Sequence, residues 1–418
     1  FLKDKSFEDI SLTEIIPDNN NDWINQRNDS FNKYTLIGKK SKNNNVIFTI
    51  YSGGVKTNRS EWSYNYSRSE LSKNIISMIN YYNMECVKYQ QGLINENELN
   101  NDSTQIKWSG SLKDYLKHGK NIVYKGEFIV KALFRPFSKK CFYYDKHLIE
   151  RTYQMLNLFP TDKYENILIL VNGLGARKEF MPFIASNICD YAIYEAGTQC
   201  FPLYYYVKYD TNNPIEMISN EVDENGYKKE YAVSDYALKE YQKRYGNEVT
   251  QEDIFYYIYG LLHNEEYRTM YLIDLKKSLP RIPYVKNKDD FFQYVKAGKE
   301  LANIHLNYET IEPYELKEER SGNENYLVTK MKFINDKKSL IYNDYITFTN
   351  IPQEIFNYKI SGRSPLEWVV SQYQISEDKE SKIKNNPNEY SEDEKYIYNL
   401  VKRVVNVSIK TLEIIKNL

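Results

Sequence analysis

Ser361-Gly362-Arg363-Ser364-Pro365-Leu366-Glu367-Trp368 sets a glycine and an arginine directly before a helix-like run, Leu366 to Tyr373. Backbone N–H groups at the start of a helix draw anions, so a small residue followed by Arg363 makes a ready phosphate site. The competing reading is a packing corner anchored by Trp368. Asp378-Lys379-Glu380-Ser381 and Asn386-Pro387-Asn388 follow. Beyond them Ser391-x-x-Glu394 has the spacing of a capping box. Ile397, Leu400, Val401, Val404, Val405, Ile409 and Leu412 then trace one face of a long amphipathic helix.

Upstream of this stretch the pattern is mixed. Lys330 to Ile334 and Ser339 to Tyr342 read as short strands. Asp289 to Leu306 reads as a helix, as does the segment opened by Thr250 with Asp253 three residues on, and the one from Ser234 to Gly246. Ile167 to Val171 and Leu203 to Val207 read as strands. So do Ile122-Val123-Tyr124 and Phe128-Ile129-Val130, split by Gly126, and Val46 to Tyr51, which stops at a turn at Gly53-Gly54. Ser69 is the expected N-cap of a helix carrying Leu71, Ile75, Met78, Ile79 and Tyr82. The polar residues 92–106 are the expected domain boundary. Strands and helices do not alternate, so the expected class is α+β, a mixed sheet with helices.

The chain has 418 residues, 41% hydrophobic and 15% aromatic, enough for packed cores. Its net charge of −1 argues against a wholly polyanion-binding surface and leaves room for a local basic face. Residues 107–147 hold ten Lys/Arg against three acids, a net +7. Residues 210–253 hold five against eleven, a net −6. The four cysteines form no C-x-x-C pair, which fits a reducing cytoplasm. No apolar run approaches the ~20 residues of a membrane span. The chain opens on Phe1, so it is expected to begin inside a longer polypeptide.

Several chemistries have no signature. There is no Pro-Pro dipeptide, hence no loop of the kind that holds a flipped adenine in amino-methyltransferases. No G-x-x-x-x-G-K-(S/T) cradles a phosphate. Gly173-Leu174-Gly175 follows a strand but lacks a third glycine. Cys141, Asp145 and His147 are close enough in sequence to hold a metal; core packing and turn capping are the stronger reading. His263 and His305 each end an apolar helical run and are expected to be satisfied helix-end residues.

What remains is the chemistry of nucleic-acid contact. Gly53-Gly54-Val55-Lys56-Thr57-Asn58-Arg59 is a glycine-loosened turn that sets Lys56, Thr57, Asn58 and Arg59 side by side, suited to phosphates and to purine edges. Arg135, Lys139 and Lys140 alternate with aromatics between Phe134 and Tyr144, a segment that Arg151 follows. Here the rival reading is core phenylalanines with Arg135 paired to Asp145. Arg177 and Lys178 follow the Gly173/Gly175 turn. Arg281 is held between Pro280 and Pro283 in an extended segment, as a phosphate contact or a structural ion pair.

These motifs, in this order, resemble one family along nearly the whole chain. They run D-W-I-N-Q-R (22–27), G-V-K-T-N-R-x-x-W-x-Y-N (54–65), F-R-P-F…Y-Y-D (134–145), F-P-L-Y (201–204), Y-I-Y-G-L-L-H-x-x-x-Y-R (257–268), L-P-R-I-P (279–283), G-K-E-L-A-N-I-H-L (298–306) and S-G-R-S-P-L-E-W…N-P-N. The resemblance is to the C-terminal end of the type ISP restriction–modification enzymes. Those long polypeptides join a nuclease, an ATP-driven motor, an adenine methyltransferase and a target-recognition domain.

The resemblance implies residues 1–103 as the trailing edge of an α/β methyltransferase core with its linker. Residues 104–418 would be the DNA target-recognition domain, with an acidic insertion near 210–253. It implies sequence-specific double-stranded DNA as partner, together with upstream methyltransferase and motor domains of the same polypeptide. Adenine-N6 methylation with S-adenosylmethionine, and translocation and cleavage with ATP and Mg, would lie outside these residues; no cofactor is expected within them. The rival expectation is a structural coupling domain that docks motor and methyltransferase with little DNA affinity. A weaker one is an independent enzyme using Asp145 and His147.

Overall fold

A computed structural model describes residues 6, 8, 11–18, 21–24, 26–39, 45–210, 222–322 and 324–418. The unalternating apolar run at 168–171 is the key to the architecture. Successive side chains of a strand point to opposite faces. In the Leu168–Asn172 strand, Leu168 and Leu170 enter one core while Ile169 and Val171 enter another. The strand is therefore buried on both sides. It lies in a four-stranded antiparallel sheet ordered Ser52–Gly53, Thr198–Pro202, Leu168–Asn172, Phe183–Ala185.

One face of that sheet carries the helices Asp235–Tyr245, Gln251–His263 and Lys288–Leu306. On the other face lies a core shared with the C-terminal helix Tyr396–Lys416, the Pro365–Gln372 helix and a second sheet. That second sheet orders Tyr64–Asn65, Ser138–Tyr143, Ile129–Arg135 and Ile188–Cys189, the last pair parallel. A third core packs the Arg68–Gln90 helix against the outer face of the same sheet. Lys317–Arg320, Ile346–Thr349, Ser339–Ile341 and Lys332–Ile334 form a further antiparallel sheet. The α+β expectation is met.

Several local expectations are corrected. The Arg68–Gln90 helix is capped by Ser67, two residues before Ser69. Ser391 and Glu394 do not cap the last helix, which begins behind Lys395 without a side-chain cap. The reciprocal box is at Ser364: its Oγ accepts from Glu367 N at 3.3 Å, and Glu367 Oε2 accepts from Ser364 N at 2.8 Å. Ile122-Val123-Tyr124 is irregular, and Val46–Tyr51 makes only isolated bridges through Phe48. Gly53-Gly54 is not a turn. It continues beside Thr198–Pro202, with Gly54 N donating to Thr198 O at 3.1 Å.

His263 and His305 each lie in the last turn of a helix, as expected, and both are fully buried. Tyr259 Oη lies 2.6 Å from His305 Nδ1, and His305 Nε2 lies 2.9 Å from Thr411 Oγ1, joining three helices. Burial lowers His263 to about 3 and holds His305 well below the usual range, so both rings are neutral.

The polar segment 92–106 joins elements that share one sheet and one core, so packing does not break at residue 103. Residues 211–221 of the expected acidic insertion lie outside the described residues. From Tyr227 the segment is built into the fold: Tyr227–Tyr231 pairs with Tyr204–Lys208, and Gln251–His263 is buried along most of its length. Among the described residues no helix is long and apolar enough to cross a membrane.

Candidate nucleic-acid interface

The 54–59 segment divides its side chains between interior and surface. Asn58 takes a φ of 57°, a left-handed conformation that asparagine tolerates. The chain thereby turns Arg59 inward. Arg59 is fully buried, with Nε donating to Lys107 O at 3.2 Å, Nη1 to Leu148 O at 2.8 Å and Nη2 to Ser109 Oγ. Burial lowers its guanidinium to about 10. Thr57 is also buried, its Oγ1 accepting from Arg59 N. Neither reaches a ligand in this arrangement, which corrects half of the expected quartet. Gly54 is required by packing: a side chain there would come within 2.5 Å of the Asp190 carbonyl oxygen.

The Arg135 cluster is likewise interior. Arg135-Pro136-Phe137-Ser138 is a hairpin turn, with Phe137 at φ 56° and its ring buried against Phe183 and Tyr308. Arg135 Nη1 donates to Asp190 Oδ1 at 2.7 Å; the partner is Asp190, not Asp145. Lys139 pairs with Glu309 at 2.6 Å with its side chain mostly covered. Lys140 lies buried between the ring faces of Phe134 and Tyr66, 4.3 and 4.5 Å from their centroids. Burial, helped by the Arg135 charge, lowers its ammonium to about 7. Arg281 is half-buried in a two-stranded pairing of Thr35–Leu36 with Arg281–Ile282, where its Nη1 donates to Tyr34 O at 2.9 Å. All four side chains are thus engaged within the fold, Lys140 buried and Arg135, Lys139 and Arg281 partly covered.

The remaining cations converge. Lys178 runs along Gly362: a carbon added to Gly362 would lie 3.0 Å from Lys178 Cδ. Arg363 is exposed beside it, its guanidinium 5.1 Å from the Trp368 ring centroid. Arg177, 87% exposed in its side chain, pairs with Glu195. Gly173 N donates to Gly197 O at 2.7 Å, tying this loop to residues 195–197. Gly197 in turn underlies the Tyr191 ring. Tyr191 carries the Lys56 ammonium 5.8 Å from its centroid and stacks on Tyr153 at 6.2 Å and 17°. Lys56 and Arg151 exchange both backbone hydrogen bonds at 2.9 Å.

These contacts link Arg363 with Lys178, and Arg177 through residues 195–197 with Tyr191, Lys56, Tyr153 and Arg151, into a strip, with exposed Asn58 two residues on from Lys56. It unites three motifs that lie far apart in sequence. Five expected residues belong to it: Lys56, Asn58, Arg177, Lys178 and Arg363. Sequence reasoning passed over Tyr153 and Tyr191, which nothing marks among 41 tyrosines.

Two adjoining clefts of about 760 and 750 Å³ share Val130, Thr161, Asp162 and Tyr164. Lys125, Lys146, Lys163 and Lys208 line the first, offset by Glu127, Asp145 and Asp162, so it is not a one-sign groove. Asp145 Oδ1 lies 2.7 Å from His147 Nδ1 on its wall. Cys141 is buried, its Sγ donating to Tyr66 O at 3.8 Å. Among the described residues no three His, Cys, Asp or Glu side chains group to hold a metal. The Gly173-Leu174-Gly175 turn does not form a phosphate cradle. Gly173 is packed against Ala196 O, and no helix follows to aim N–H groups at a phosphate.

Solved structures share this fold, among them three DNA complexes. The ATP-dependent Type ISP restriction-modification enzyme LlaBIII bound to DNA is 37% identical, with a TM-score of 0.86 over 97% of this chain and 25% of its own. A nuclease-deletion mutant of the Type ISP enzyme LlaGI, in complex with a DNA substrate mimic, is 33% identical, with a TM-score of 0.83 over 99% of this chain and 36% of its own. A DrdV–DNA complex is 27% identical, with a TM-score of 0.81 over 100% of this chain and 41% of its own. The chain thus spans a quarter to two-fifths of these relatives. No curated protein sequence matches it. The model of the Type ISP C-terminal specificity domain matches residues 46–400, through the four-stranded sheets and the strip to the first turn of the last helix. The chain belongs to that family.

Proposed function

We propose that this chain recognises duplex DNA in a sequence-specific way for a restriction–modification polypeptide. The observation that carries this reading is the strip, in which Lys56, Arg177, Lys178 and Arg363 converge from three separate parts of the sequence onto one exposed surface. Lysine and arginine on such a surface neutralise phosphates, while Asn58 has the paired donor and acceptor that suit an adenine edge. Family membership and the DNA complexes of the relatives support the same reading. Adenine methylation with S-adenosylmethionine, and ATP- and Mg-dependent translocation and cleavage, are assigned to other parts of the polypeptide. The cytoplasm is the compartment where such an enzyme meets DNA. The test is selection from randomised duplex DNA at moderate salt, with sequencing of the bound fraction. One enriched asymmetric motif is the expected result; binding without enrichment would reject sequence specificity.

A second reading has its own observation. Leu12, Ile15, Ile16, Trp23 and Ile24 are between 49% and 73% exposed, and lie close together in sequence. Asp22 anchors their segment to the body through Arg27 and Lys277. So many large apolar side chains in water mark a docking surface, suited to a neighbouring domain of the same polypeptide. A coupling role of this segment is compatible with DNA recognition by the strip.

A further inference from the structure

Tyr153 holds a φ of 50° and leaves 40% of its surface exposed. Side chains other than asparagine, aspartate and glycine rarely take this conformation. Strain of this kind is kept where the surroundings impose it, commonly at binding sites. Here the surroundings are specific. The Tyr153 ring lies on the bare backbone of Gly53, where a side chain would come within 3.0 Å of the ring. Tyr191 lies in the same way over Gly197, and a side chain there would run into its ring. The two rings are near-parallel. Gly53, in a strand, and Gly197, just before the Thr198–Pro202 strand, thus floor two tyrosines, and Tyr153 is the more exposed of the pair.

Cations flank the pair. Lys56 Nζ sits over Tyr191, and exposed Arg151 is bonded to Lys56 through both backbone groups. An open aromatic face beside phosphate-seeking side chains is the arrangement used to hold single-stranded nucleic acid. A base inside a duplex has neighbours on both faces and cannot lie on a tyrosine. Only a base that has left the stack can.

We propose that Tyr153, backed by Tyr191 and flanked by Lys56 and Arg151, is a stacking platform for one nucleobase displaced from the DNA duplex. The proposal rests on the reading of this chain as DNA-binding. It adds a ligand, the unpaired base, that recognition of duplex sequence does not require.

The test is equilibrium binding of the purified chain to three DNA probes of one sequence: fully paired, with a single bulged purine, and with an abasic bulge at that position. The abasic probe keeps the flexibility and removes the ring. The bulged purine is expected to bind about tenfold tighter than either control, within the range of stacking on aromatic side chains. Tyr153→Ala should abolish this preference, bringing the bulged purine down to the affinity of the abasic probe, and Tyr153→Phe should restore it. Equal affinity of the unaltered chain for all three probes overturns the platform and leaves duplex recognition standing. So does a Tyr153→Ala variant that weakens all three alike, since the ring would then be packing on the sugar–phosphate chain. Absence of binding to any probe overturns both readings.

Discussion

Arg59 Nη1 donates to the carbonyl oxygen of Leu148 at 2.8 Å, inside the protein and one residue away from exposed Asn58. Neighbours in sequence thus serve opposite ends. Replacing Arg59 with alanine leaves Leu148 O, Lys107 O and Ser109 Oγ without their donor. The expected loss is about 3 kcal/mol of stability, read from urea unfolding. Lys56→Ala with Asn58→Gly, since glycine accepts the left-handed backbone, should leave the unfolding midpoint nearly unchanged and weaken DNA binding instead. Equal stability losses in the two variants would contradict this division.

The strip should behave as a phosphate-binding surface. Lys178→Gln and Arg363→Gln are each expected to weaken binding to all sequences alike, and to reduce the slope of log affinity against log salt by about 1. Titrations between low and moderate salt decide it. Glu195 works in the opposite sense, because it occupies Arg177. Glu195→Gln should raise DNA affinity, and an unchanged affinity would mean that Arg177 lies off the path of the DNA.

Lys140 gives a pH signature. Its folded value of about 7 lies below the ordinary 10.5. Between these values the unfolded chain holds a proton that the folded chain has released. Stability therefore rises with pH across that window. Below pH 7 the charge is buried and its full cost is felt. Lys140→Met removes it, so the variant should exceed the unaltered protein in stability by more at pH 6 than at pH 9. A constant difference would show that the ammonium is not desolvated.

The buried histidines act on the acid side. His263 titrates near 3 in the folded state and near 6.5 when exposed. Below 6.5 the unfolded chain takes up a proton first, so folding weakens as pH falls toward 3. His263 Nε2 has no hydrogen-bond partner, so His263→Phe forfeits only the Nδ1 contact to Tyr259 O. It should flatten the acid limb of the stability curve. An unaltered acid limb would place the sensitivity elsewhere.

Long helices were legible because their periodicity repeats: Asp235–Tyr245, Gln251–His263 and Lys288–Leu306 lie within a residue or two of their expected bounds. Short strands and caps were less so, since Ser67 and Ser69, or Ser364 and Ser391, differ only in what the tertiary structure places beside them. The candidate surface was legible in part. Lys178 and Arg363 stood out as loop cations, but nothing in sequence joins positions 178 and 363. Arg59, Lys139 and Lys140 carry the same charge and are interior, because burial depends on which way a turn faces. The left-handed Asn58 decides it for Arg59.

Gly362 and Lys178 meet across 183 intervening positions. During synthesis Lys178 leaves the ribosome long before Arg363, and the helices that seat Arg363's segment come later still. An unfinished chain therefore has only half a grip on phosphate. On the proposed reading, a polypeptide that carries this surface engages DNA fully only once translation has passed the segment that holds Arg363 and the helices that seat it.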